Sequence, residues 1–153
     1  MTVPQSALVD AVPGAVTLDD KYALARGHVF MSGIQALVRL PMLQQQRDAL
    51  QGKSTAGMVS GYRGSPLGGY DLALWKAKQH LDAHQILFQP GVNEELAATA
   101  LWGTQMLGYA PPGTQKFDGV FGLWYGKGPG VDRCSDVFKH ANQIGRASCR
   151  ERV

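Results

Sequence analysis

The residues best able to do chemistry are gathered in residues 54–71, STAGMVSGYRGSPLGGYD, where Tyr62, Arg63 and Ser65 stand among Gly61, Gly64, Gly68, Gly69 and Pro66. Glycine lacks a Cβ and tolerates positive φ, and proline fixes a turn, so this backbone can come close to a bound molecule. The Ser65 hydroxyl can donate a hydrogen bond. The Arg63 guanidinium can grip a carboxylate through two parallel donors, its competing reading being a solvated loop arginine. A short apolar segment, 56–59, precedes the turn and an amphipathic pattern begins near Tyr70, an order that reads strand, loop, helix. Ligands of open α/β sheets sit at such loops, because strand ends and helix N-termini converge there. We read this one as ligand-facing.

Two further stretches hold groups of the same kind. Glu94 and Glu95 follow Asn93 at the head of an alanine-rich segment. Asn93 suits an N-cap, and carboxylates in the first helical turn complement the helix dipole, which is their ordinary role. Gly126–Gly130, GKGPG, forms a second glycine-rich turn flanked by Lys127, Asp132 and Arg133. An ordinary tight turn with solvated charges is the competing reading. Neither turn spells G-x-G-x-x-G or G-x-x-x-x-G-K-[ST], so the dinucleotide and P-loop readings lack their fingerprints. His28, His80, His84 and His140 are scattered and match no metal spacing, and Cys134 and Cys149 form no C-x-x-C pair.

The elements that must position these groups alternate along the chain. The apolar run 28–31 reads as a first buried strand, with Ser32 as N-cap of a helix carrying Ile34, Leu37, Val38 and Pro41; Pro41 should kink or restart that helix. After the strand at 56–59, Leu67, Tyr70, Leu74, Ala77 and Leu81 define one helix face. A third strand at 86–88 leads to the helix from Asn93, whose small residues Ala97, Ala98, Ala100 and Gly103 suit burial against a neighbouring backbone. Residues 117–125 supply a further strand, and a last helix starts near Asp132. The three tryptophans, at 75, 102 and 124, read as core or interface residues. The fold class is therefore α/β, a mostly parallel sheet flanked by helices on both faces.

Composition sets outer bounds. The chain has 153 residues, 44% of them apolar, enough for one domain with its own core. No run of about eighteen apolar residues exists, so no membrane span is expected, and without the pattern of a secretory signal a cytoplasmic address is the default. The net charge of +3 is scattered outside the extreme C-terminus, which argues against nucleic-acid binding. Residues 1–17 read as a flexible leader without chemistry. Residues 144–153, IGRASCRERV, match codon for codon the translation of a common sequencing adapter, ATC GGA AGA GCG TCG TGT AGG GAA AGA GTG. Gln143 straddles the junction, so 143–153 reads as an adapter-derived artefact and Asn142 as the last authentic residue. Re-reading the locus decides the point, because an uninterrupted frame encoding the same tail would refute it.

Four motifs in order, HVFMSGIQALVRLP, VSGYRGSPLGGYD, FQPGVNEELAATALWGTQ and WYGKGPGVDRCSDVFKHAN, carry a resemblance. Together they resemble the N-terminal part of the fused bacterial indolepyruvate ferredoxin oxidoreductase family, thiamine diphosphate-dependent enzymes acting on 2-oxoacids. The likeness spans residues 18–142 and implies a partial pyrimidine-binding domain, an α/β unit gripping the cofactor's aminopyrimidine ring. It implies that Tyr62, Gly64, Ser65 and Pro66 form the family's Y-P-x-T-P-like loop beside the cofactor, although Arg63 and Ser65 depart from its proline and threonine. Arg63 and Ser65 would then meet the substrate, and Gly128, Pro129 and Gly130 would border the cofactor cleft. Glu94 matches the catalytic glutamate that hydrogen-bonds the pyrimidine ring nitrogen and shares a proton with it.

The implied reaction is oxidative decarboxylation of an aryl 2-oxoacid such as indolepyruvate to its acyl-coenzyme A, with ferredoxin reduced. Magnesium and iron-sulfur clusters would lie in a missing remainder, since no G-D-G…N stretch or cysteine set is present; the fragment alone is expected to be inactive. A cofactor shared between two domains implies a homodimer. Two alternatives stay open. One is a related decarboxylase or oxidoreductase of another substrate, pyruvate among them, and the other is a non-catalytic α/β module binding a nucleotide or a partner protein.

Overall fold

The computed structural model describes residues 16–64, 67–111 and 113–144. The leader up to residue 15, the tail from 145, and the candidate site residues Ser65 and Pro66 lie outside that description. A short helix, α1 (Asp20–Ala23), precedes α2 (Gly33–Leu50). Then come β1 (Thr55–Gly61), α3 (Gly68–Lys76), α4 (Lys78–Ala83), β2 (Ile86–Phe88), α5 (Glu94–Thr104), β3 (Gly119–Tyr125), α6 (Gly128–Arg133) and α7 (Ser135–Ile144). The three strands form one parallel sheet in the order β2-β1-β3, with Gly57 opposite both Ile86 and Phe121. Every residue of the central strand β1 is buried.

Helices cover both faces of the sheet. On one face Val38 and Met42 of α2, with Tyr70, Leu74, Ala77 and Leu81, pack on Val59, Ile86, Phe88 and Tyr125. On the other, Ala98 of α5 joins Cys134, Val137, Phe138 and Trp124. Each fully buried large side chain is worth about 1.5–3 kcal/mol relative to exposure, so these two clusters hold the layers together. The path from β1 to β2 runs through α3 and α4 on the α2 face, whereas the path from β2 to β3 runs through α5 on the opposite face and in the opposite direction. Reversing face and direction together leaves the hand of the crossover unchanged.

Several expectations are met residue by residue. The strand at 86–88 is β2, and the face set by Tyr70, Leu74, Ala77 and Leu81 is buried. That face is delivered by two helices rather than one, because the chain turns at Ala77 (φ −93°, ψ 9°). Ser32 caps α2 in a reciprocal arrangement, its Oγ accepting from the Gln35 N–H while the Gln35 side chain accepts from the Ser32 N–H.

Other expectations fail for identifiable reasons. Residues 28–31 form no strand; Phe30 is fully exposed, and a run of four apolar residues does not by itself choose an element. Pro41 lies buried inside a continuous α2 and neither stops nor restarts it. Its missing N–H orphans the carbonyl four residues earlier, that of Leu37, and the Tyr70 hydroxyl donates to that oxygen at 3.3 Å. Ala97 and Ala98 are buried as expected, but Ala100 and Gly103 face solvent. Gly128, Pro129 and Gly130 are not a loop: they form the first turn of α6, where proline's fixed φ and lack of a donor are tolerated. Trp102 and Trp124 pack in the second cluster, while Trp75 is partly exposed with its ring edge on Phe88.

Candidate functional site

All three strands point their carboxyl ends the same way, so the residues that leave them emerge together: 62–64 after β1, 89–93 after β2 and 126–127 after β3. Backbone bonds tie them. The Gln89 N–H donates to the Val59 carbonyl at 3.0 Å and the Gly91 N–H to the Gly61 carbonyl at 2.9 Å. Gly61 is a place where only glycine fits, because a Cβ there would lie 2.4 Å from the Tyr125 carbonyl oxygen. The close approach of β1 and β3 at this edge depends on it.

Glu94 lies at this edge, against the end of β3 and the first turn of α6. The Asn93 side chain accepts from the Leu96 N–H at 2.8 Å, fixing the start of α5 so that Glu94 begins the helix. The Trp124 indole N–H donates to the Glu94 carbonyl at 3.1 Å, clamping that first turn to β3. Only 9% of Glu94 is exposed, unusual for a first-turn carboxylate, whereas Glu95 beside it faces solvent. The Glu94 side chain lies against Gly130 in the first turn of α6: a Cβ at Gly130 would fall 2.7 Å from its Cγ and 3.2 Å from its Oε1. Among the described residues no protein hydrogen bond reaches the carboxylate. The side chain is largely covered while its carboxylate oxygens keep contact with solvent, which leaves them capacity for a further partner.

The structure brings Glu94 and Gly130 into contact, with Gly128 and Pro129 in the same turn. Tyr62 and Gly64 leave the same sheet edge at the end of β1, and Gly64 passes so close to the Tyr62 ring that a Cβ would lie 2.9 Å from it. Arg63 is exposed, and among the described residues no ion pair joins it to Glu94. Lys127, Asp132 and Arg133 all face solvent.

A second polar group stands at this edge that the sequence reading passed over. The Tyr125 hydroxyl donates at 2.9 Å to Oδ1 of Asp71, a carboxylate only 4% exposed. Burial first, then the hydrogen bond and the negative charge of Asp71, push the Tyr125 phenol well above the ordinary tyrosine range. Burial also pushes Tyr70, whose ring edge meets Tyr125 at 5.0 Å, up to about 12. The signal was available: Asp71 lies four residues after Leu67 and three before Leu74, within the apolar stripe.

Two further buried titratable groups, His84 and Cys134, belong to the packing of the fold. Buried His84 bonds the His80 carbonyl at 2.8 Å through Nδ1 and the Gln46 amide at 3.0 Å through Nε2. Burial, with the nearby Glu94 and Glu95 charges, pushes the Cys134 thiol up and so away from the reactive thiolate. Among the described residues no group of three or more His, Cys, Asp or Glu is placed to hold a metal ion, and no helix is long and apolar enough to cross a membrane. The fold and site define an α/β unit with a three-stranded parallel sheet whose carboxyl edge presents a sheltered glutamate. No known family, curated protein or solved structure matches the chain.

Proposed function

We propose that the chain is the pyrimidine-gripping part of a thiamine diphosphate-dependent enzyme that oxidatively decarboxylates a 2-oxoacid, resembling the indolepyruvate ferredoxin oxidoreductases. The observation that carries this reading is Glu94, a largely buried residue at the carboxyl edge of the sheet, against a glycine, whose carboxylate keeps contact with solvent and has no protein donor on it among the described residues. Such a group suits a heterocyclic ring nitrogen, with which it would share a proton. Bound thiamine diphosphate would supply the electron sink for loss of carbon dioxide. Glu94 would hold and release the proton at the ring; Gly130, having no side chain, leaves that carboxyl its place. Tyr62 and Gly64 would flank the cofactor, and Arg63, free in solvent, would meet the substrate carboxylate.

In this reading coenzyme A takes the acyl group and ferredoxin the electrons, through clusters and a magnesium site on parts of the protein beyond this chain. The whole works as a homodimer in the cytoplasm. The test is Glu94→Gln in the full-length protein, assayed with indolepyruvate, pyruvate, coenzyme A and ferredoxin, with thiamine diphosphate binding measured separately. Loss of turnover of at least 10²-fold, the size expected for a positioned proton-transfer group, supports the reading. Unchanged turnover, or no thiamine diphosphate binding by the unsubstituted protein, would refute it.

A further inference from the structure

We infer that the cavity between α1, the first turn of α2, α3 and α4 binds a small phosphate monoester with an apolar body. Neither Glu94 nor Gly130 lines this cavity, so the inference does not rest on the thiamine diphosphate reading.

Tyr22 is the residue that asks for a ligand. It lines the cavity and is only 6% exposed, yet among the described residues its hydroxyl has no hydrogen-bond partner and keeps contact with solvent. Burial alone pushes its phenol up, with no hydrogen bond or neighbouring charge contributing. A buried tyrosine ordinarily sets its hydroxyl on a partner, and an acceptor bound in the cavity would be that partner. The space measures about 360 Å³, at the lower end of the range for small-molecule sites, so the ligand is compact.

The other lining groups say what kind of ligand it is, because they offer donors and few acceptors. Ser32 and Gln35 cap α2 with their side-chain oxygens, which leaves the Ser32 O–H and the Gln35 amide N–H groups to donate elsewhere. Lys21 gives one of its three donors to the Leu18 carbonyl and holds its ammonium 5.2 Å from the centre of the Tyr22 ring. Lys76 is exposed and forms no ion pair among the described residues. The one carboxylate on the lining, Asp19, faces His80 Nε2 at 3.4 Å. No acidic residue stands in the first turn of α2, so the helix dipole adds to the positive field of the two lysines. This set suits an anion that only accepts hydrogen bonds. Ammonium groups act as point charges, which fits a phosphate, whereas planar recognition of a carboxylate favours arginine. Ile34, Leu72 and Ala73 complete the lining with apolar surface for a short carbon body.

The test is calorimetric titration of the full chain with phenyl phosphate, inorganic phosphate and phenol. Phenyl phosphate should bind at one site, and the other two, each lacking half of its chemistry, should bind at least about 10-fold more weakly. Tyr22→Phe removes a hydroxyl that no described protein group uses, so it should weaken phenyl phosphate by about 10-fold and leave the melting temperature unchanged. Lys76→Gln should weaken it about threefold. Lys78→Gln, which breaks only the exposed pair with Asp82 outside the cavity, should leave binding as it was. The two lysine variants alter exposed side chains, so their comparison stands even if Tyr22→Phe fails to fold. The inference is overturned if phenyl phosphate does not bind at millimolar concentration, if phenol or inorganic phosphate binds as tightly, or if a folded Tyr22→Phe binds as tightly as the unsubstituted chain. Equal weakening by Lys76→Gln and Lys78→Gln would also overturn it, because it marks adventitious attraction to surface lysines.

Discussion

Adding one methyl group at Gly130 separates the role of the Glu94 pocket from its stability. The new Cβ would sit 2.7 Å from Glu94 Cγ and 3.3 Å from its Cδ. Carbon atoms rest at about 3.5–4.0 Å, so Cγ must retreat by about 1 Å. Two terms of opposite sign act on stability: alanine in place of a helical glycine gains about 0.5–1 kcal/mol, and overpacking costs about 1–3 kcal/mol. The clashing atoms belong to a side chain that can swing outward, so the cost falls at the low end and Gly130→Ala should change unfolding free energy by only about 1 kcal/mol. Activity has no such compensation. A catalytic group misplaced by about 1 Å loses about 10²-fold, or about 2.7 kcal/mol of barrier. The assay is the 2-oxoacid turnover proposed for the full-length protein, beside urea unfolding of the same variant. A kcat for the proposed reaction within about threefold of the unsubstituted protein would refute the claim that the Glu94 position matters, and a stability loss above about 3 kcal/mol would refute the claim that its side chain can move aside.

Two further predictions concern the polar groups under the same edge. Tyr125→Phe leaves the Asp71 carboxylate, 4% exposed, without its donor and should cost about 1–3 kcal/mol in urea unfolding. Tyr70 and Tyr125 both have phenols raised above their unfolded value near 10, so the folded chain keeps protons that the unfolded chain releases. Stability should then be fully present below pH 10 and fall as pH rises toward 12, with a smaller fall in Tyr125→Phe; a urea midpoint that does not drop between pH 9 and pH 11 would contradict this. Tyr70→Phe should cost about 1 kcal/mol when Pro41 is present, because the Leu37 carbonyl loses its donor, and less in a Pro41→Ala background, where a backbone N–H can serve that oxygen. A double-mutant cycle with no coupling would remove the explanation offered for the unbroken helix.

What could be read from the sequence was local. The caps at Ser32 and Asn93 need only a side chain and an amide three residues on, and both form. The buried face from Tyr70 to Leu81 repeats at helical spacing, and the strand at 86–88 is bounded by turn residues on its C-terminal side, so both were legible. Residues 28–31 were misread because apolarity alone carries no pairing partner. The GKGPG segment was misread as a turn because proline and glycine mark both turns and helix starts, and the choice was made by packing of Gly130 on Glu94. Neither contact partner is near the other in sequence.

The same distinction governs the site. That Glu94 would head a helix was legible; that it would be shielded while Glu95 stays in solvent was not, because the shielding comes from α6, more than thirty residues away. The Pro41 helix shows the reverse dependence, a local defect repaired by a distant hydroxyl, that of Tyr70. Tyr70 also meets Tyr125, and Tyr125 holds Asp71, so the repair of α2 and the anchoring of the β3 end share one buried group. A substitution at Tyr70 should therefore be felt both in α2 and at the sheet edge that presents Glu94. The two effects can be read separately, by hydrogen exchange in α2 and by the alkaline unfolding profile.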